Sequence, residues 1–176
     1  MSKNDKNQKI LKNRAKELSE ELNENGAIGN QIEIIEFVLA YEKYGVESCF
    51  VREVYPMKEF TPVPGTPNFV MGIINIRGQI ISIIDIKKFF GLPEKGLTDL
   101  NRIIIAEYNG LEVGILADLI LGVRNIALNE IQSSLPTLTE IRSRYLKGIT
   151  RDGIVILDIE KLLSDSKLII CSEVEI

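Results

Sequence analysis

Three aspartates, Asp85, Asp118 and Asp158, each follow an apolar run, and carboxylates so placed could pair for general acid–base chemistry. A simpler reading covers two of them together. Asp85 and Asp158 stand at the same point of a repeated segment, each opening an Asp-Ile-x-Lys stretch that ends in two large apolar residues. There a carboxylate caps a short helix by accepting from its first free N–H groups. Asp118 ends an apolar run and reads as a turn residue. Cys49 would need a base to act as a nucleophile, and the chain has no His. Lying between Ser48 and Phe50 in a strand-like stretch, it reads as a buried, inert thiol. The missing imidazole also removes the commonest metal ligand. Neither the dinucleotide fingerprint G-x-G-x-x-G nor a G-x-x-x-x-G-K-[ST] phosphate loop occurs. Arg142, Arg144 and Lys147 could gather around an anion, though their pattern suits a solvated face better. Arg77, between Ile76 and Gly78, has two readings: a solvated hairpin tip, or an anchor for an acidic partner surface, fixed on a rigid hairpin. No base–nucleophile pair emerges, and neither a cofactor nor a metal is expected.

The elements that must position these residues are mostly strands. Residues 72–91 have a close echo at residues 148–163: an apolar run, an Arg near a Gly turn, a second apolar run, then the capped Asp-Ile-x-Lys segment. Two copies predict two similar substructures. Residues 31–38 read as a first strand, 41–45 as a turn, and 46–57 as a second strand rich in β-branched and aromatic residues. Pro62, Pro64 and Pro67 make residues 61–67 a rigid loop without ladder donors. Residues 69–76 and 79–84 form a hairpin whose continuous Ile runs suggest burial on both faces. A short helix capped by Asp85 should end at Gly91. Asn109-Gly110 joins residues 102–108 to 111–118 as the clearest hairpin, because both turn positions tolerate positive φ. Residues 120–128 read as a strand, 129–143 as a connector with room for a short helix, and 145–157 as a last hairpin ahead of a helix capped by Asp158. The run Leu168-Ile169-Ile170 could add a strand. Eight to ten short strands at close spacing predict small barrels or a sandwich, and the repeat favours two similar small barrels over one large sheet.

Bulk properties narrow the function classes. The chain has 176 residues, 45% hydrophobic, 26% charged, with a net charge of −4. A negative balance argues against a dedicated nucleic-acid binder, and 6% aromatic residues without any Trp argue against base-stacking platforms. Cys49 and Cys171 lie far apart with no metal-ligand spacing, which fits a reducing cytosol. Every apolar run is too short to cross a bilayer, so no direct membrane insertion is expected. Residues 1–30 are polar, with Leu11, Ala15, Leu18 and Leu22 at helical spacing; they read as a marginal helix or a disordered extension that could dock onto the body or onto a partner.

In this context residues 31–165 resemble the CheW family, the coupling proteins of chemotaxis. The resemblance rests on the order of several motifs: Tyr44-Gly45-Val46-Glu47, Val51-Arg52-Glu53-Val54, Thr66-Pro67-Asn68-Phe69, Gly72-Ile73-Ile74-Asn75-Ile76-Arg77-Gly78, Gly114-Ile115-Leu116-Ala117-Asp118 and Leu157-Asp158-Ile159-Glu160-Lys161-Leu162-Leu163. Ser82 and Ala117 depart from the usual Pro and Val, each conservatively in size. The resemblance implies a mainly β fold of two intertwined five-stranded SH3-like barrels with short helices, spanning residues 31–170. It implies a non-catalytic adaptor, cytoplasmic at receptor arrays, which couples the tips of methyl-accepting chemoreceptors to the regulatory domain of the histidine kinase CheA. Val51, Ile104, Gly114, Ile120 and Val123 match positions that would line or support a receptor groove. Glu53, Gly72 and Arg77 match positions associated with receptor or kinase coupling. The length leaves no room for a receiver domain after the barrels. The competing expectation is a small-molecule-binding β-barrel, or a regulatory module of a different two-component kinase system. A ligand barrel would need convergent polar groups inside, whereas the inward runs are aliphatic.

Overall fold

A computed structural model describes residues 30–132 and 140–169. The reading of residues 1–29 as an extension, and Cys171, lie outside the described residues. Among the described residues eleven strands form two sheets: β1 (Gln31–Leu39), β2 (Glu42–Glu47), β3 (Val51–Pro56), β4 (Val70–Ile76), β5 (Gln79–Ile84), β6 (Arg102–Tyr108), β7 (Leu111–Ala117), β8 (Leu119–Ala127), β9 (Ile131–Gln132), β10 (Leu146–Thr150) and β11 (Val155–Leu157). One sheet has the order β3-β6-β7-β5-β4 and is continuous in sequence; the other, β8-β1-β2-β11-β10-β9, joins the first two strands to the last four. They make a contiguous and a split SH3-like barrel, and the chain passes into one and back to the other. The sixth strand of the split barrel is the two-residue β9; the contiguous barrel has a single bridge, Thr61 to Ile73, in its place.

The internal repeat is visible residue by residue. Gly72 pairs with Ile83, which runs parallel to Gly114. Gly148 pairs with Ile156, which runs parallel to Gly45. Both Gly72 and Gly148 follow a β-bulge, with φ of 149° and 158°. A Cβ on Gly72 would lie 2.2 Å from the Thr61 carbonyl oxygen, and one on Gly148 would lie 2.3 Å from that of Gln132. These two glycines let an edge segment close against the barrel.

Short helices cap the sheets: α1 (Ile86–Phe90), α2 (Glu140–Arg144), α3 (Ile159–Ser164) and α4 (Ser166–Ile169). Asp85 accepts from the Lys87 N–H and Asp158 from the Lys161 N–H, so both are N-caps. Gly91 ends α1 in the left-handed region at φ 66°. Asn109 and Gly110, at φ 51° and 80°, form the expected tight turn.

Four expectations change. Residues 46–57 are not one strand: a 3-10 turn, Ser48–Phe50, breaks them, and β2 and β3 belong to different sheets. The predicted turn at residues 41–45 shrinks, because β2 already starts at Glu42. Leu168 and Ile169 lie in α4 rather than a strand, since Leu168 is buried in the core beside α3. The β4–β5 hairpin is not buried on both faces, as Ile80 is 58% exposed. The strand that does meet this description is β6: Ile104 and Ala106 face the large central cluster, Ile103 and Ile105 the contiguous barrel's own interior.

The central cluster gathers Phe37, Tyr44 and Val46 from the split barrel with Ile104, Val113 and Ile115 from the contiguous one. Each barrel also has an aliphatic filling: Ile34, Ile126, Ile154 and Ile156 in the split barrel, Ile74, Ile81, Ile83, Ile103 and Leu116 among those in the other. Burial of these side chains supplies the main stabilising term, about 1.5–3 kcal/mol for each fully buried residue. Packed aliphatic interiors disfavour a ligand-binding barrel.

Candidate functional site

Six of the eight candidate residues fall on two structurally equivalent edge strands, β3 and β8, and on the hairpin that reaches toward β3; Ile104 and Gly114 lie on the inner strands β6 and β7. Both edge strands carry a bulge at the same place. On β3, Val51 faces Ala106 and Glu53 faces Ile105, leaving Arg52 as the extra residue. On β8, Ile120 faces Phe37 and Gly122 faces Glu36, leaving Leu121 extra. Cross-strand partners share a face. Val51 and Val54, opposite Ala106 and Ile104, therefore lie on the central-core side of β3, and Ile120 and Val123, opposite Phe37 and Ile35, on that of β8. Val51 and Ile120 pack against the core, whereas Val54 and Val123 reach its open rim; Val123 is 65% exposed.

The predicted residues thus occupy three kinds of place. Ile104 is fully buried, and a Cβ on Gly114 would lie 2.6 Å from Ile103 Cγ2, so these two act from beneath a surface. Val51, Ile120 and Val123 lie along the rims, but on two strands that do not pair with each other. Glu53 and Arg77 meet directly, with Arg77 Nη2 donating to Glu53 Oε2 at 3.1 Å. Gly72 lies on the same hairpin as Arg77, at the bulge. Arg77 itself takes φ 52°, and the Asn75 side chain accepts from the Gly78 N–H to hold the turn. Its side chain is 78% exposed although paired. A matching tie crosses the split barrel, where Arg124 of β8 pairs with Asp152 of the β10–β11 turn. In both barrels a hairpin tip is thus tied to the edge strand, with the charges reversed.

Four residues judged from sequence behave differently. Asp118 is no plain turn residue: it accepts from the Ala40 N–H at 2.7 Å and from Lys87 Nζ at 2.6 Å. Cys49 is exposed in the 3-10 turn rather than buried, and partial desolvation together with the Glu47 carboxylate pushes its thiol up, which favours the unreactive protonated form. Arg142 and Lys147 are not a solvated face; Arg142 pairs with Glu42 and Tyr44, and Lys147 with Glu47. Sequence reasoning also missed Val54, whose equivalence to Val123 appears only once the bulges are aligned. Among the described residues no group of acidic, Cys or His side chains is arranged to hold a metal, and no helix is long and apolar enough to cross a membrane.

Two packed barrels with bulged, apolar-rimmed edge strands define a protein of the interaction-module class. Residues 33–167 match the family model of the CheW-like domain, and the chain belongs to the CheW family of chemotaxis proteins. It is 32% identical to the chemotaxis protein CheW of Treponema pallidum over 145 residues, covering 78% of this chain and 85% of that protein. It is also 32% identical to CheW of Thermotoga maritima, covering 77% and 89%. The crystal structure of the scaffolding protein TtCheW from Thermoanaerobacter tengcongensis superposes with a TM-score of 0.69 at 37% identity, covering 77% of this chain and 90% of that one.

Proposed function

We propose that this chemotaxis adaptor holds the cytoplasmic tips of methyl-accepting chemoreceptors and the regulatory domain of the histidine kinase CheA in one assembly, without catalysing a reaction itself. It works on the cytoplasmic side, at receptor arrays. The observation that carries this reading is the pair of bulged edge strands, which leave the rim of a packed core open at Val123 and Val54. A receptor tip is an antiparallel helical hairpin, and such a hairpin docks apolar positions into an apolar rim with polar surroundings. Ile120 and Val123 supply the contact, Val51 its counterpart on the other strand, and Ile104 and Gly114 fix the strand spacing beneath. Glu53, Gly72 and Arg77 form the second, polar element of coupling. Each pairwise contact is of modest size, on the order of 1,200 Å² or less, and repetition in an array raises avidity.

The test is reconstitution of the full chain with a receptor cytoplasmic fragment and CheA, read by co-sedimentation. Val123→Asp should lower receptor recruitment at least tenfold, about 1.4 kcal/mol, with an unchanged circular dichroism spectrum. Undiminished recruitment would remove β8 from the receptor face. Failure of the unsubstituted chain to recruit either partner would sink the reading as a whole.

A further inference from the structure

Three residues of β8, Leu119 to Leu121, lie against only two of β1, Val38 and Phe37. One of the three must therefore stand out of the ladder, and it is Leu121. Both ends of this stretch are fixed. After it, Gly122 to Ala127 run in continuous register with Glu36 to Gln31, and the Leu128 N–H donates to the Asn30 carbonyl at 2.8 Å. Before it, Ala117 pairs with Arg102 of β6, and Asp118 joins β1, the β1–β2 turn and α1. The Asp118 N–H donates to the Val38 carbonyl at 2.9 Å, Oδ2 accepts from the Ala40 N–H at 2.7 Å, and Oδ1 accepts from Lys87 Nζ at 2.6 Å.

Packing alone does not decide that Leu121 is the extra residue. Ile120 packs against the central cluster opposite Phe37, while Leu121 is 44% exposed. Leucine and isoleucine have nearly the same volume, so the core discriminates weakly between them. The equivalent strand β3 places its bulge by side-chain chemistry. Its extra residue is Arg52, which donates to Gln79 Oε1 at 2.8 Å and pairs with Glu112. A charge of that kind cannot replace Val51 against the core. The bulge of β8 carries no charge, so something outside it has to place it.

We propose that Asp118 is the residue that positions this bulge, and so decides that Ile120 rather than Leu121 faces the core. While Asp118 stays bonded to Val38, Ala40 and Lys87 it cannot itself leave the ladder, and the extra residue is kept three places further on. Without the carboxylate the bulge moves back to position 118. Leu119, Ile120 and Leu121 each shift by one place, Leu121 comes to lie opposite Phe37, and Ile120 turns to the other face. Gly122 and the strand beyond it stay where they are. The register claim stands by itself. Its consequence, a weaker receptor contact where Ile120 contributes, rests on the function proposed above.

Asp118→Ala alone would strand the buried Lys87 charge, so the unclamped chain combines Lys87→Met with Asp118→Ala. The full chain is used, with its own thiols removed by Cys49→Ser and Cys171→Ser. Ile120→Cys and Leu121→Cys, introduced one at a time, report the face of each position through their rates of reaction with a maleimide. With the clamp intact, position 121 should react faster. In the unclamped chain the order should invert, with position 120 gaining about tenfold or more. Lys87→Met with Asp118→Asn, which keeps an acceptor for the Ala40 N–H, should preserve the original order. Leu121→Lys, added to the unclamped chain with the reporter at position 120, should make that reporter slow again, because its charge pins the bulge as Arg52 does in β3. Rates that rise together at both positions would mean general loosening and would overturn the proposal. So would an unchanged order, an inversion already with Asp118→Asn, or no rescue by Leu121→Lys. Receptor co-sedimentation is read separately: an inverted order with undiminished recruitment supports the clamp and counts against the receptor face alone.

Discussion

Lys87 Nζ lies 2.6 Å from Asp118 Oδ1 and 3.4 Å from Asp85 Oδ1, with the lysine side chain only 1% exposed. The pair sits where the chain leaves the contiguous barrel for the split one. Asp118 holds the Ala40 N–H of the split barrel at the same time, and Asn101 donates to the Ala117 carbonyl beside it. One buried ion pair therefore fixes α1, the β1–β2 turn and the β7–β8 crossing against one another. Removing one partner strands the other charge in the interior, which costs about 3–5 kcal/mol. Lys87→Met and Asp118→Leu should each destabilise by that order in urea denaturation. The double variant should recover part of the loss, because the stranded member of the Lys87–Asp118 pair is gone and only Asp85, which still caps α1, keeps its charge there. Additive effects would show that the two charges do not depend on each other.

Gly72 and Gly148 make the repeat testable. Both combine a φ that side chains avoid with a carbonyl oxygen in the space a Cβ would take. Gly72→Ala and Gly148→Ala should each lower stability by about 2 kcal/mol or more, from backbone strain with the clash in addition. Gly78, at φ 88° but facing open space, separates the two causes. Gly78→Ala should cost only about 1–2 kcal/mol, the left-handed penalty alone. Equal losses at all three positions in thermal melts would remove the close approach as a cause.

The parts of this structure legible in the sequence were those written in local chemistry. Asp85 and Asp158 announce helix starts because a cap needs only residues two or three positions away. Asn109-Gly110 announces a hairpin because few other pairs accept two positive φ values. The break at Ser48–Phe50 was hidden, because Val46, Phe50 and Val51 keep a strand-like composition through a point where the chain changes sheet. Lys87 was hidden for a different reason. A lysine in the first turn of a short helix reads as solvated, and its partner Asp118 is 31 residues away. The Glu53–Arg77 pairing and the equivalence of Val54 with Val123 are likewise products of strand register, which short-range patterns leave open.

Tyr44 gives the protein an alkaline limit. Burial pushes its phenol well above the ordinary tyrosine value, and the Glu42 carboxylate that accepts its proton adds to the rise, while Arg142 opposes it. The folded state therefore holds this proton more tightly than the unfolded chain does. The associated stability is complete below about pH 10, the unfolded value, and is lost as pH rises above it. Tyr44→Phe should flatten the fall in stability above pH 10 and remove one strongly alkaline component from the tyrosinate absorbance titration. Loss of a component at the ordinary tyrosine value instead would show that the Tyr44 phenol ionises without resistance from the fold.

Arg77 and Glu53 separate a docking role from a structural one. Their ion pair is exposed on the arginine side, and such pairs contribute about 0–1 kcal/mol to folding. Arg77→Ala should leave the urea midpoint almost unmoved. If the guanidinium is an anchor for partners, the same change should weaken the ternary assembly with receptor and kinase by more than about 1 kcal/mol. Glu53→Gln frees the arginine without removing its charge, so it should retain more assembly than Arg77→Ala does. The exchanged pair, Glu53→Arg with Arg77→Glu, restores the internal tie but reverses the charge at the tip. Assembly restored in that double variant would mean that the tie, rather than the exposed cation, is what the complex requires. Assembly still lost would assign the contact to Arg77 itself.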